Sequence, residues 1–161
     1  MENYIVINGK KAELTPEQLK ALGIVTKKPN PFKREVGKKF YYISYIGSVE
    51  SDTDVGITND GKAFDVANYC TDRCLLQQRA YHEILNRLLW RYSMEHDGDM
   101  LDWNSRTQRK YYVICEDKLE TSWTTNLRSP GRVYFISGQV AENAIKEIIK
   151  PFMEAHPDFK W

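Results

Sequence analysis

Residue types able to carry chemistry are few in this chain and stand far apart. Cys70 and Cys74 could meet across a helix start, but no His or Cys pair at metal-ligand spacing accompanies them. Both read as buried structural thiols, and Cys115 reads as a strand residue with no catalytic neighbour. Asp52-Thr53-Asp54-Val55-Gly56 begins like a calcium loop, yet lacks a ligand at its fifth position and the closing Glu at its twelfth. His82-Glu83 reads as a solvated surface pair. His96-Asp97-Gly98-Asp99 reads as the chemistry of a helix stop. Phosphate-binding glycine loops and nucleophile elbows are absent from the sequence. The expectation is therefore of no catalytic residue, no cofactor and no metal.

Residue types suited to recognition are easier to find. Trp103 lies in a polar stretch between Asp102 and Asn104, with Arg106 and Arg109 close behind. Trp and Arg are the favoured anchors of protein interfaces. Two other readings compete: a loop Trp folded back onto the core, and an aromatic that stacks on unpaired bases beside Arg. With Trp90 and Trp123, these residues form the candidate protein-binding set Trp103, Arg106, Arg109, Trp90 and Trp123.

These residues need elements to position them, and 161 residues suit one domain with a small appendage. A formal charge of +1 supplies no global drive towards nucleic acid or acidic lipid. Locally the sign alternates: 27–39 and 106–110 are basic, 50–65 and 95–102 acidic. An odd count of three cysteines argues against a disulfide framework. With no signal peptide or membrane-length apolar run in the sequence, the expected compartment is a reducing cytosol, with no membrane partner.

The organising stretch is 71–96, a long amphipathic helix with Thr71 as its expected cap. Helical periodicity puts Ala80, Tyr81, Ile84, Leu85, Leu88, Leu89 and Tyr92 on one face. Leu76, Trp90 and Met94 form a second apolar stripe, which implies cover on two sides. Gly98 is the expected stop. Upstream, Tyr4 to Ile7 and 11–14 predict a hairpin about Asn8-Gly9. Thr15, Pro16 and Gln18 predict a capped short helix ending at Gly23. Leu19, Leu22 and Ile24 would dock it. Residues 26–39, with Pro29 and Pro31, read as a basic linker.

The remainder reads as two similar halves, 40–96 and 110–161, within a main domain over 40–161; residues 1–25 form the small N-terminal piece. Each half opens on an aromatic strand, Phe40-Tyr41-Tyr42-Ile43 or Lys110-Tyr111-Tyr112-Val113. In each, a polar hairpin leads to a further strand that enters a capped helix, with Tyr69-Cys70-Thr71 matching Phe135-Ile136-Ser137. Residues 51–61 read as a polar loop or irregular edge, and Pro151 as the end of the second helix or a kink in it. The predicted class is α+β, built from two β-β-β-α-like repeats with one long central and one C-terminal helix.

IVINGKKAELTPEQLKALGI, Asn30-Pro31-Phe32, FYYISYIGSVESDTD, ANYCTD, LNRLLWRYS and the closing GRVYFISGQVAENAIKEIIKPFMEAHPDF carry a resemblance. They are similar to segments of small proteins encoded by phages and prophages of gut Firmicutes, over nearly the whole chain. Many relatives place Asn-Tyr-Phe before the cap, where this chain has Asn68-Tyr69-Cys70. Some phage proteins of similar layout are anti-CRISPR inhibitors, so the resemblance implies a non-enzymatic phage accessory protein that binds a host or phage protein, such as a CRISPR effector nuclease. The alternative is a nucleic-acid-associated accessory factor using the basic segments 27–39 and 106–110.

Overall fold

A computed structural model describes residues 4–7, 10–23 and 30–161 of the chain. It divides into two compact units, Met1–Pro31 and Phe32–Trp161. The second begins earlier than position 40, because residues 33–39 are tied into it by side chains described below. The expected turn at Asn8-Gly9, Ile24 and the first part of the 26–39 stretch lie outside the described residues.

The first unit holds strands β1 (Tyr4–Ile7) and β2 (Lys10–Glu13), paired antiparallel from Tyr4↔Glu13 to Ile7↔Lys10. Helix α1 (Pro16–Ala21) follows. Its capping box is formed: the Gln18 N–H donates to Thr15 Oγ1 at 3.3 Å and the Thr15 N–H to Gln18 Oε1 at 2.8 Å. Gly23, at φ +69°, takes the left-handed conformation that ends such helices. Leu19 is buried, whereas Leu22 is exposed.

The second unit is α+β and contains the expected repeat, with one adjustment of register. Strands β3 (Lys39–Ile43) and β4 (Val49–Thr53) form one hairpin. Strands β5 (Lys110–Cys115) and β6 (Leu119–Thr124) form the other. The expected third strand is reduced in each half to a single antiparallel bridge, Tyr41↔Cys70 and Tyr111↔Phe135. Two residues after each bridge a side chain caps a helix. Asp72 accepts from the Leu75 N–H at 3.1 Å, and Ser137 from the Val140 N–H at 3.2 Å. The cap of the long helix is thus Asp72 and not Thr71, and Tyr69-Cys70-Thr71-Asp72 matches Tyr134-Phe135-Ile136-Ser137. An acidic cap also complements the helix dipole, which a threonine would not.

Between β4 and that cap lies helix α2 (Thr58–Asp65), where a polar loop was expected. Asp60 nucleates it, accepting from the Val55 and Ile57 N–H groups at 2.9 and 3.3 Å. Helix α3 (Arg73–Glu95) buries Ala80, Leu85, Leu89 and Tyr92, with Tyr81, Ile84 and Leu88 half-buried beside them. It stops at Asp97, which is left-handed at φ +60°. Gly98 is required for a different reason: a Cβ there would lie 2.6 Å from the Ser93 carbonyl oxygen.

Helix α4 (Gly138–Ala144) passes through a π turn, Ile145–Ile149, into helix α5 (Lys150–Ala155). Pro151 therefore does not end the helix. The wider turn just before it accommodates the missing N–H and the ring. The main core joins α3 to Phe135, α4, the π turn, α5 and Phe159; a smaller one gathers Ile43, Cys70, Leu76 and Ala80.

Residues 33–39 are fixed by one buried carboxylate. Asp54 is fully buried and accepts from Arg34 Nε at 2.7 Å, Arg34 Nη2 at 3.1 Å and the Gly56 N–H at 2.9 Å. Its backbone also pairs with Gly37 and Lys38. The Arg34 guanidinium is the main reason that its pKa falls from 3.8 to about 2. A carboxyl that ionises more readily folded than unfolded stabilises the fold fully above its unfolded pKa. That contribution disappears as pH falls from about 3.8 through about 2. Thermal unfolding between pH 5 and pH 2 should therefore show a loss of stability in that window that Asp54→Asn flattens. An unchanged pH profile in the variant would remove the pair from this role.

Candidate functional site

The second unit carries an open groove of about 620 Å³. Its size falls within the usual range of ligand and peptide pockets. Helix α3 forms one wall, because Arg79, His82, Glu83 and Asn86 recur at helical spacing along one stripe. Leu85 and Leu89 lie deeper on the same helix, and Phe135 and Val113 complete an apolar floor. The opposite wall is the Ser129-Pro130-Gly131 turn, Arg132 and Val133, and Trp161 closes one end. Gly131 has φ +75°, a conformation that L side chains avoid, so this turn depends on glycine.

The charged groups around the groove are unequally engaged. Arg79 Nε lies 2.9 Å from Glu83 Oε1, and its Nη1 donates to the Ala67 carbonyl. Arg87 reaches the other Glu83 oxygen at 3.6 Å. Arg132 instead lies 4.1 Å above the Tyr112 ring and is exposed. His82 meets the Phe159 ring edge-on at 4.9 Å.

Next to the groove stands an aromatic cluster that carries further cations. Tyr112 contacts Tyr134 at 5.7 Å, and Tyr134 contacts Trp103 at 4.8 Å. Lys110 Nζ and Arg128 lie over the Trp103 ring at 5.5 and 5.1 Å. Lys110 is fully buried and donates to the Ser105 and Thr125 carbonyls, both at 2.8 Å. A buried ammonium is tolerable because two carbonyl dipoles and a ring face replace its water.

The sequence-derived candidates separate accordingly. Trp103 is half-buried and folded onto the core. Arg106 is exposed. Arg109 lies over Trp123 at 4.3 Å, and that ring is 49 % exposed. Trp90, at 61 % exposed, stands on the α3 stripe with exposed Met94, so only Leu76 of that stripe is buried. The chain end does cover part of α3. Gln78 bonds the Asp158 carbonyl and the Lys160 N–H, and Tyr81 Oη donates to Asp158. The groove itself, with Arg132 and Val113, was not foreseen, because its walls come from segments far apart in sequence.

Cys70 is buried, which pushes its thiol pKa up, whereas Cys74, expected to be buried beside it, is exposed at the start of α3. His96 stacks on Tyr92 at 4.1 Å and its Nδ1 lies 2.8 Å from the Tyr92 carbonyl. Burial, followed by the bond to Glu147, raises the Tyr92 pKa. Among the described residues no three His, Cys, Asp or Glu side chains gather as a metal site, and no helix is long and apolar enough to cross a membrane.

Trp103→Ala should cost about 2 kcal/mol, roughly half the loss at a fully buried Trp, because it uncovers Lys110 and Tyr134. Trp90→Ala should change stability by less than about 0.5 kcal/mol. Urea denaturation of both variants checks the contrast, and equal costs would contradict the placement of the two rings.

No protein-family model matches this chain, and no curated protein or solved structure matches it.

Proposed function

We propose that this chain acts by stoichiometric, non-enzymatic binding to a host or phage protein. The observation that carries the reading is the groove: an apolar floor, a rim of Arg and Trp, and a peptide-sized volume. That combination matches the centre of a protein interface, where buried apolar and aromatic groups supply the energy and polar groups form the rim. Exposed Trp90, and Trp123 with Arg109 upon it, offer further contact surface. The resemblance to phage-encoded proteins suggests where such binding would be used, as inhibition of a host-defence effector such as a CRISPR nuclease in the bacterial cytoplasm.

The alternative is a nucleic-acid-associated factor that uses 27–39 and 106–110. Three of its basic residues are committed within the protein: Arg34 holds Asp54, Lys33 pairs with Glu35 at 3.1 Å, and Lys110 is buried on two carbonyls. Lys38, Lys39 and Arg106 stay exposed, so the preference for protein binding rests on the groove.

The tagged protein, incubated with a lysate of a phage-infected bacterial host, should retain one protein at about one-to-one stoichiometry through a high-salt wash. Tight binding to random DNA that weakens steeply with salt, with no protein retained, would favour the alternative.

A further inference from the structure

We propose that the groove receives a short acidic and apolar segment of a partner protein. Its apolar side chain sits on Leu85, Leu89 and Phe135, and its carboxylate pairs with Arg132. This rests on the protein-binding reading and names the site and the chemistry of its occupant.

Arg132 is the reason for an acidic occupant. Arg79, the other arginine of the groove, is already engaged by Glu83 and the Ala67 carbonyl. Arg132 has no carboxylate within 4.0 Å among the described residues. Its Cζ lies over the Tyr112 ring, 4.1 Å from the ring centre, a contact that the planar guanidinium of arginine favours. A planar fork held in this way suits bidentate pairing with a carboxylate. The charged lining of the groove has the same sign, with Arg79 and Arg132 against Glu83, a net of +1.

The apolar floor is the reason for a peptide rather than a nucleic acid. Leu85, Leu89 and Phe135 line the base of the groove and are almost wholly buried, so the floor is apolar but offers no open stacking platform. Two rings beside the groove already carry cations. Arg132 covers Tyr112, while Arg128 and Lys110 cover Trp103.

The test uses three labelled probes on the full chain: a peptide alternating Asp and Leu, one alternating Lys and Leu, and a thymidine oligonucleotide. Chemical-shift mapping should place the Asp–Leu peptide at Val113, Arg132, Val133 and Phe135, with the other two probes weaker. Arg132→Ala should weaken that binding about tenfold, the size of one charge-assisted pair, and Arg132→Glu should invert the preference towards the Lys–Leu peptide. Asn86→Trp, at an exposed position on the groove wall, should block the Asp–Leu peptide while melting stays at the wild-type value. Equal binding of both peptides, shifts mapped elsewhere, a tighter oligonucleotide, or indifference to Arg132→Glu would overturn the assignment. A partner retained from lysate equally by wild type and Arg132→Glu would also overturn it, while leaving the protein-binding reading intact. Groove binding that depends on Arg132, with no partner retained from lysate, would uphold the groove and overturn the stoichiometric reading.

Discussion

Each half of this protein depends on one antiparallel bridge between a hairpin and the residue two before a helix cap. A two-stranded hairpin cannot sustain a core in water. At Tyr41↔Cys70 and Tyr111↔Phe135 a single residue of the incoming chain pairs with the first strand, and the helix then starts at a fixed place and angle. The residue beside each bridge is a buried tyrosine whose hydroxyl accepts a backbone N–H: Tyr69 from Glu35 at 3.3 Å, and Tyr134 from Ser129 at 2.8 Å. In the first half the Asn68 side chain extends the ladder. Its Oδ1 accepts from the Ile43 N–H at 2.8 Å and its Nδ2 donates to the Ile43 carbonyl at 2.9 Å. An amide side chain thus takes the place that a further strand residue would fill.

With helix starts fixed, the two halves meet through α3. Its main face packs on Phe135, α4 and α5. Ser93, near the C-terminal end of α3, donates to the Tyr134 carbonyl at 2.6 Å, and Tyr92 Oη donates to Glu147 at 3.2 Å. The groove is a product of this meeting. Phe135 is the bridge residue and also part of the floor, so the contact that starts the second helix also shapes the surface opposite Leu85 and Leu89. The 129–133 turn becomes the far wall because Tyr134, one residue further on, is pinned to the neighbouring backbone.

Much of this was legible in the sequence because it depends on local spacing. The α3 face, the Thr15–Gln18 capping box, the two hairpins and the paired order of the halves all follow from periodicity and turn chemistry. The misplaced features share a different cause. Asp54 resembled part of a cation loop, but its partner Arg34 is twenty positions away. Lys110 counted as surface charge, although carbonyls of Ser105 and Thr125 bury it. Trp103 had no helix face to fill, and its actual neighbours, Tyr134 and Arg128, come from the segment between β6 and α4. Thr71 and Asp72 are both good caps, and only the bridge at Cys70 decides between them. The groove draws on α3, β5, the 129–133 turn and the last residue, so no window of sequence contains it.

Native-state hydrogen exchange tests the central claim most directly, because a bridge that fixes a helix can open only when the core opens. The amides of Tyr41, Cys70, Tyr111 and Phe135 donate across the two bridges at 2.7 to 3.0 Å. They should exchange as slowly as the amides of Leu85 and Leu89 in the α3 core, with the same dependence on added denaturant. Bridge amides that exchange as fast as those at the hairpin turns, while α3 stays protected, would contradict the account.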